Sequence, residues 1–187
     1  MNNLLSVMVS DIVTVKFGWN AYPKKYSGGL ISGLIEANTV IDCDARAFFC
    51  DIDGKPISKS LNEACVFSDN TSLFNNVALF EEDLKGNKEK LVLNLLEIPQ
   101  EISIIVLTLD LYKVKSKVGL GKIQEAYLKI LDSNDQELGL MNVHSVSIGT
   151  KIINMGSFQR ENSGWKFIQS SNLYDVANLT DFFGLMV

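Results

Sequence analysis

Two aspartates two residues apart, Asp42 and Asp44, are the side chains of this sequence best placed to do chemistry. They sit in Ile41-Asp42-Cys43-Asp44-Ala45-Arg46-Ala47-Phe48-Phe49, which reads as part of a strand from about Val40 to Cys50. In a strand such residues point to the same face, roughly 6.5–7 Å apart. Aspartate is depleted in strands, and like charges side by side repel. The pair therefore needs either open solvent or a cation between the two groups. Oxygen ligands of this kind suit a hard cation, and calcium takes several carboxylate and carbonyl oxygens, often from loops at the end of a sheet. Further acids for such a site lie in the Asp69 and Glu82-Asp83 regions.

Other chemistries find less support. The chain has one histidine, His144, so Ser/His or Cys/His catalysis would have to use it, and no motif marks it. A zinc hydrolase site calls for more than one imidazole in most designs. Cys43, Cys50 and Cys65 are odd in number and lack CxxC spacing, which argues against a structural zinc site and a disulfide framework and suits buried thiols in a reducing cytoplasm. The glycines at 28, 29 and 33 form no GxGxxG or Walker pattern, so a phosphate cradle has no sequence signature. Asp51-Ile52-Asp53-Gly54-Lys55 looks like a fragment of a calcium loop, but its glycine comes too early for an EF-hand. Asp-Gly between strands reads instead as a hairpin turn. Paired acids can serve as general acid and base, yet nothing marks a substrate cleft, and the chain is expected not to be an enzyme.

The elements that must position these acids are strands. Val13, Val15 and Phe17 alternate with Thr14 and Lys16, a half-buried strand ending at Gly18-Trp19-Asn20. In the Asp42–Asp44 strand, Cys43, Ala45, Ala47 and Phe49 share one face, and Asp42, Asp44, Arg46 and Phe48 the other. Short strands are expected near 64–67, 77–80, 91–95, 126–131, 138–141, 146–148, 151–158 and 165–168. Ile102 to Leu111 is the most apolar run, rich in β-branched residues, and predicts a central strand buried on both faces. Segments 81–90 and 112–118 read as charged loops, and 122–125 as one helical turn. Leu173, Val176, Leu179 and Phe182 recur every three residues between Asn172, a candidate N-cap, and Gly184, predicting a C-terminal helix over about 172–183.

Many short strands punctuated by turns, with one terminal helix, give an all-β sandwich of two mostly antiparallel sheets. With 187 residues, 47% of them hydrophobic, the chain is expected to form one domain over 1–187, carrying a loop insertion at 21–39. A net charge of −5 without a basic run argues against binding nucleic-acid phosphates or an anionic membrane. The N-terminus has no positive region and does not read as a signal peptide.

In order, these segments resemble the TerD family of bacterial tellurite-resistance and stress proteins. Gly18-Trp19-Asn20 is similar to the family's Gly-Trp-Asp, and Asp42-Cys43-Asp44-Ala45-Arg46-Ala47-Phe48 to its Asp-Leu-Asp-Ala-Ser-Ala-Phe, followed by Asp53-Gly54-Lys55. Val66-Phe67-Ser68-Asp69-Asn70 resembles Val-Phe-Tyr-Asn-Asn, and Leu120-Gly121-Lys122-Ile123-Gln124-Glu125-Ala126-Tyr127 resembles Phe-Gly-Gln-Val-Arg-Asn-Ala-Tyr. Gly164-Trp165-Lys166-Phe167 resembles Glu-Trp-Lys-Phe, and the loop after Trp19 is similar to an insertion of the TerZ-like branch. The resemblance implies a cytoplasmic β-sandwich that binds calcium through the Asp-x-Asp strand and acidic loops, without established enzymatic activity. It implies a ligand set of Asp42, Asp44, Asp83, Asn87 and Glu89. The family's long acidic loop is short here and carries lysines at 85 and 88, so the expectation is at most one calcium site of weakened affinity. The alternative is a metal-free scaffold of the same fold that binds protein partners, other Ter-family proteins among them.

Overall fold

A computed structural model describes residues 6–9, 11–21, 43–82, 88–111, 123–144, 151–174 and 182–183. Strand-forming sequence dominates: β1 (Ser6–Val9), β2 (Ile12–Ala21), β3 (Cys43–Cys50), β4 (Cys65–Val66), β5 (Ser72–Leu73), β6 (Ala78–Glu82), β7 (Lys88–Asn94), β8 (Ile104–Leu111), β9 (Ile123–Leu131), β10 (Glu137–His144), β11 (Ile152–Glu161) and β12 (Gly164–Tyr174). One short helix, α1 (Leu61–Ala64), precedes β4. Two six-stranded sheets result, in the orders β1-β12-β11-β8-β3-β4 (the first sheet) and β10-β9-β2-β7-β6-β5 (the second), with antiparallel pairing throughout.

Alternation explains how the sheets close on one another. Val13, Val15, Phe17 and Trp19 of β2 are buried, as are Leu91 and Leu93 of β7 and Leu128 and Ile130 of β9. They pack in one cluster with Ala45, Ala47 and Phe49 of β3, Leu107 and Leu109 of β8, and Trp165 and Phe167 of β12. A register shift between Asn154 and Gly156 lets both Met155 and Phe158 enter that core. Gly156 is required there: its φ is +142°, and a Cβ would meet the Phe167 ring and the Ile168 carbonyl.

The first sheet is buried on its outer face as well. Phe48, Cys50, Cys65, Phe67, Val106 and Ile152 form a second cluster with Phe182 and Phe183, the two phenylalanines lying against Phe48. This makes β8 the doubly buried central strand its composition predicts, and explains why all eight residues of β3 are buried. The three cysteines are buried free thiols; burial pushes the Cys50 thiol up to about 12, with Asp51 adding to the effect.

The Asp-Gly turn forms as expected: the Asp51 carboxylate accepts the Asp53 and Lys55 amides, and Gly54 takes φ +79°. Three expectations are corrected. The turn of helix at 122–125 does not form, because Ile123 to Glu125 belong to β9 and pair with β2 and β10. The C-terminal helix over 172–183 is not shown: Asn172, Leu173 and Tyr174 complete β12 against β11. Residues 175–181 lie outside the described residues, and Phe182 and Phe183, at the far end of the span, are helical. The correction falls on the start of that span: Leu173, the first member of the three-residue repeat, pairs with Ile153 in the sheet. The charged segment 81–90 is strand at both ends, with Glu81 and Glu82 in β6 and Lys88 to Lys90 in β7. The 21–39 insertion falls outside the described residues except for Ala21, which ends β2.

Candidate functional site

Register between β3 and β8 places Asp44 directly opposite Asp110, and Arg46 opposite Thr108. All four side chains share the outer face of the first sheet, and all four are buried. Facing residues on neighbouring strands have Cβ atoms roughly 4.5–5.5 Å apart, so two bare carboxylates here would repel strongly. The guanidinium of Arg46 lies between them. Its Nη2 donates to Asp44 Oδ2 at 2.6 Å, its Nε to Asp110 Oδ1 at 2.7 Å, and Nη2 also to Asp110 Oδ2 at 3.2 Å. This is a forked, charge-assisted grip on Asp110 with an added bond to Asp44.

The turn after β4 completes the enclosure. Ser68 Oγ donates to Asp44 Oδ2 at 3.2 Å, and the Phe67 ring lies 4.7 Å from the guanidinium carbon. Asn70 fixes that turn by donating to the carbonyls of Asn62 and Cys65. Burial alone would lower the Arg46 pKa, but Asp110 and Asp44 outweigh it and the net shift is upward. Burial raises the Asp110 carboxyl, and the pull of Arg46 offsets this only in part. The Cys65 thiol is raised well above its ordinary value, chiefly by burial. It is therefore no nucleophile at neutral pH.

Glu89 approaches the same strand from the facing sheet. On β7 it stands opposite Phe17 of β2, on the inward parity, and is buried. Its Oε2 accepts the backbone N–H of Ala45. The cause is the shortness of β4, which pairs only with Ala47 and Phe48 and leaves the β3 edge at Ala45 to be satisfied otherwise.

Of the five expected calcium ligands, Asp44 and Glu89 are described, whereas Asp42, Asp83 and Asn87 lie outside the described residues. Asp44 and Glu89 are brought to one end of β3, but both hold protein hydrogen-bond donors. Asp69 is exposed at the tip of its turn and does not join them. The polar atoms left without a hydrogen bond beside the pair are Arg46 Nη1 and Thr108 Oγ1. An N–H donor cannot ligate a cation, and a calcium ion at Asp44 would face a guanidinium already bound there. Asp44 as placed does not fit a calcium ligand. In the sequence Arg46 is only a member of the Asp44 face, and Asp110 lies unmarked inside the apolar Ile102–Leu111 run. An acid inside the most apolar strand was the available signal.

Comparison with known proteins gives this geometry a family. The TerD domain sequence profile matches residues 8–181. The chain belongs to the TerD domain family. Two relatives are the tellurium resistance protein TerZ of Serratia marcescens, 26% identical over 154 residues, and the stress response protein SCP2 of Bacillus subtilis (strain 168), 28% identical over 160 residues. The first alignment covers 80% of this chain and 74% of the relative, the second 82% and 78%. A homologue of the telluride resistance protein TerD, SCO6318 from Streptomyces coelicolor A3(2), shares the fold with TM-score 0.66 at 13% identity, over 94% of this chain and 96% of that one. SAV2460, a protein described as of unknown function, does so with TM-score 0.68 at 17% identity, over 91% and 94%. The Cys43-Asp44-Ala45 part of the TerD-like motif thus sits in β3 with an arginine as its next residue, and that arginine grips Asp44.

Proposed function

We propose that this TerD-family chain serves in tellurium resistance or the wider stress response as a metal-independent binding scaffold, cytoplasmic and without turnover of its own. Its curated relatives supply the biological setting, one named for tellurium resistance and one for stress response. The observation that carries the metal-independent reading is Arg46, whose guanidinium bridges Asp44 and Asp110 inside the protein. A tethered cation needs no dissociation constant, so the acidic strand is held whatever the calcium level. Partners are then proteins, other Ter-family members among them, docked on a rigid sandwich. Among the described residues no helix is long and apolar enough to cross a membrane.

Calorimetric titration tests this reading. Millimolar calcium is expected to give no stoichiometric heat with the native chain. Stoichiometric heat that disappears in Asp44→Ala would overturn it. In cells lacking the protein, restored expression is expected to raise survival on tellurite or under oxidative stress, and Asp44→Asn to retain that effect in calcium-depleted medium.

A second reading, one weak calcium site, draws on a different observation: Glu89 keeps a buried carboxylate at the end of β7 beside the 83–87 segment. In that reading Asp42, Asp83, Asn87 and Glu89 supply the oxygens and Asp44 stays with Arg46. It predicts calcium heat that survives Asp44→Ala and is lost in Glu89→Gln.

A further inference from the structure

The outward face of the second sheet carries an unusual concentration of positive charge for a chain of net charge −5. In register across adjacent strands stand Lys90 of β7, Lys16 of β2 and Lys129 of β9. Like charges directly opposite one another are destabilising, so a sheet that aligns three must neutralise them or use them. The two flanking lysines are neutralised: Lys90 pairs with Glu81 at 2.9 Å and Lys129 with Glu137 at 2.8 Å. The central Lys16 is exposed and, among the described residues, has no carboxylate within ion-pair distance. The same holds for Lys88, in the next row toward the Gly18 end of β2.

Gly18 turns this face into a receptacle. It lies between Lys88 on β7 and Tyr127 on β9, and a Cβ there would collide with the Tyr127 ring. The ring therefore lies flat across β2, and its hydroxyl sits over Gly18 rather than out in solvent. Asn142 of β10 stands opposite Tyr127 and extends the row. Lys16, Lys88, Tyr127 and Asn142 line a cavity of about 870 Å³. The other acids around it are Glu89, turned inward to the Ala45 amide, and Asp135, in the turn between β9 and β10.

We propose that this cavity binds a small, multiply charged oxyanion of the phosphate class, alone or as the head of a small metabolite. Lys16 and Lys88 supply the charge, and the Tyr127 hydroxyl and Asn142 amide supply hydrogen bonds. Flat-lying Tyr127 and two ammonium groups that have no carboxylate partner among the described residues, placed around a missing side chain, suit a compact anion. A long acidic peptide would instead meet Glu81 and Glu137 at both ends of the lysine row. The site stands on the face opposite the core, apart from the Arg46 cluster on the first sheet, so its test is independent of the calcium question.

The probe is inorganic pyrophosphate, titrated into the whole chain at low ionic strength by calorimetry. Saturable binding is expected, weakened at least tenfold in the Lys16→Gln/Lys88→Gln double variant and severalfold in Tyr127→Phe, which keeps the ring over Gly18. Lys59→Gln, an exposed lysine elsewhere, is expected to bind as the native chain does. Circular dichroism with a matched melting temperature certifies that the variants are folded. No saturable binding to the native chain, or equal binding by the double variant, would overturn the proposal. Binding by vesicles of phosphatidic acid but not by pyrophosphate would also overturn it, in favour of a membrane surface.

Discussion

Arg46→Met is expected to destabilise the chain by about 3–5 kcal/mol, the usual cost of leaving buried charge without its partner. For a protein of this size that lowers the melting temperature by roughly 6–20 °C. The variant leaves Asp44 and Asp110 facing each other across β3 and β8 with no cation between them. Methionine fills the volume, so the loss is electrostatic rather than a cavity. The sign of its pH dependence follows. Asp110 is already raised by burial, with Arg46 pulling the other way, and removing Arg46 raises it further. A carboxyl whose folded pKa exceeds its unfolded value binds its proton more tightly in the native state, so its contribution to stability grows as pH falls. The deficit of Arg46→Met is therefore largest at neutral pH and narrows as pH falls and a proton neutralises part of the pair. Adding Asp110→Asn to Arg46→Met is expected to recover part of the loss at pH 7. Urea unfolding of the native, single and double variants at two pH values measures all of this. A deficit that does not change with pH would mean that the carboxylates are not the cause.

The second large effect is expected at Glu89. Glu89→Ala strips the acceptor from the Ala45 N–H at a buried strand edge, a loss of about 1–3 kcal/mol. Glu89→Gln keeps a side-chain oxygen and is expected to cost about half as much or less. The comparison separates two roles. If Glu89 acts by capping the β3 edge, alanine and glutamine differ in chelator as well as in calcium. If it acts only as a metal ligand, the two variants behave alike, and only in calcium. Thermal unfolding of both variants under the two conditions reads the difference directly.

Much of the fold was legible because it is local. Val13, Val15 and Phe17 alternate within a few residues, Asp53-Gly54 carries its own turn geometry, and Ile102 to Leu111 advertises burial by composition. The three-residue spacing that predicted the C-terminal helix began too early, at a residue that belongs to a strand. Leu173 and its neighbours had a strand partner in Ile153, 20 residues earlier, that no window around them could reveal. The candidate site was half legible. Asp44 stood out by type, and the family motif singled out Glu89, but neither reading showed what the two carboxylates would hold. That depends on register: Asp110 meets Asp44 only because β3 pairs with β8, 66 residues further along, with no one-residue slip. With that register in hand, the arginine two positions after Asp44 changes from a face-sharing neighbour into the cation of the site.

The measurement closest to this central point is the melting temperature of the native chain and of Arg46→Ser, each in chelator and in millimolar calcium. With the guanidinium present, calcium has nothing to neutralise at Asp44 and Asp110, and the two native curves are predicted to coincide. Arg46→Ser is predicted to melt lower in chelator and to recover in calcium, as binding to the native state raises stability by mass action. A native chain that melts higher in calcium, with Arg46→Ser losing that response, would contradict the assignment of Arg46 as the resident cation.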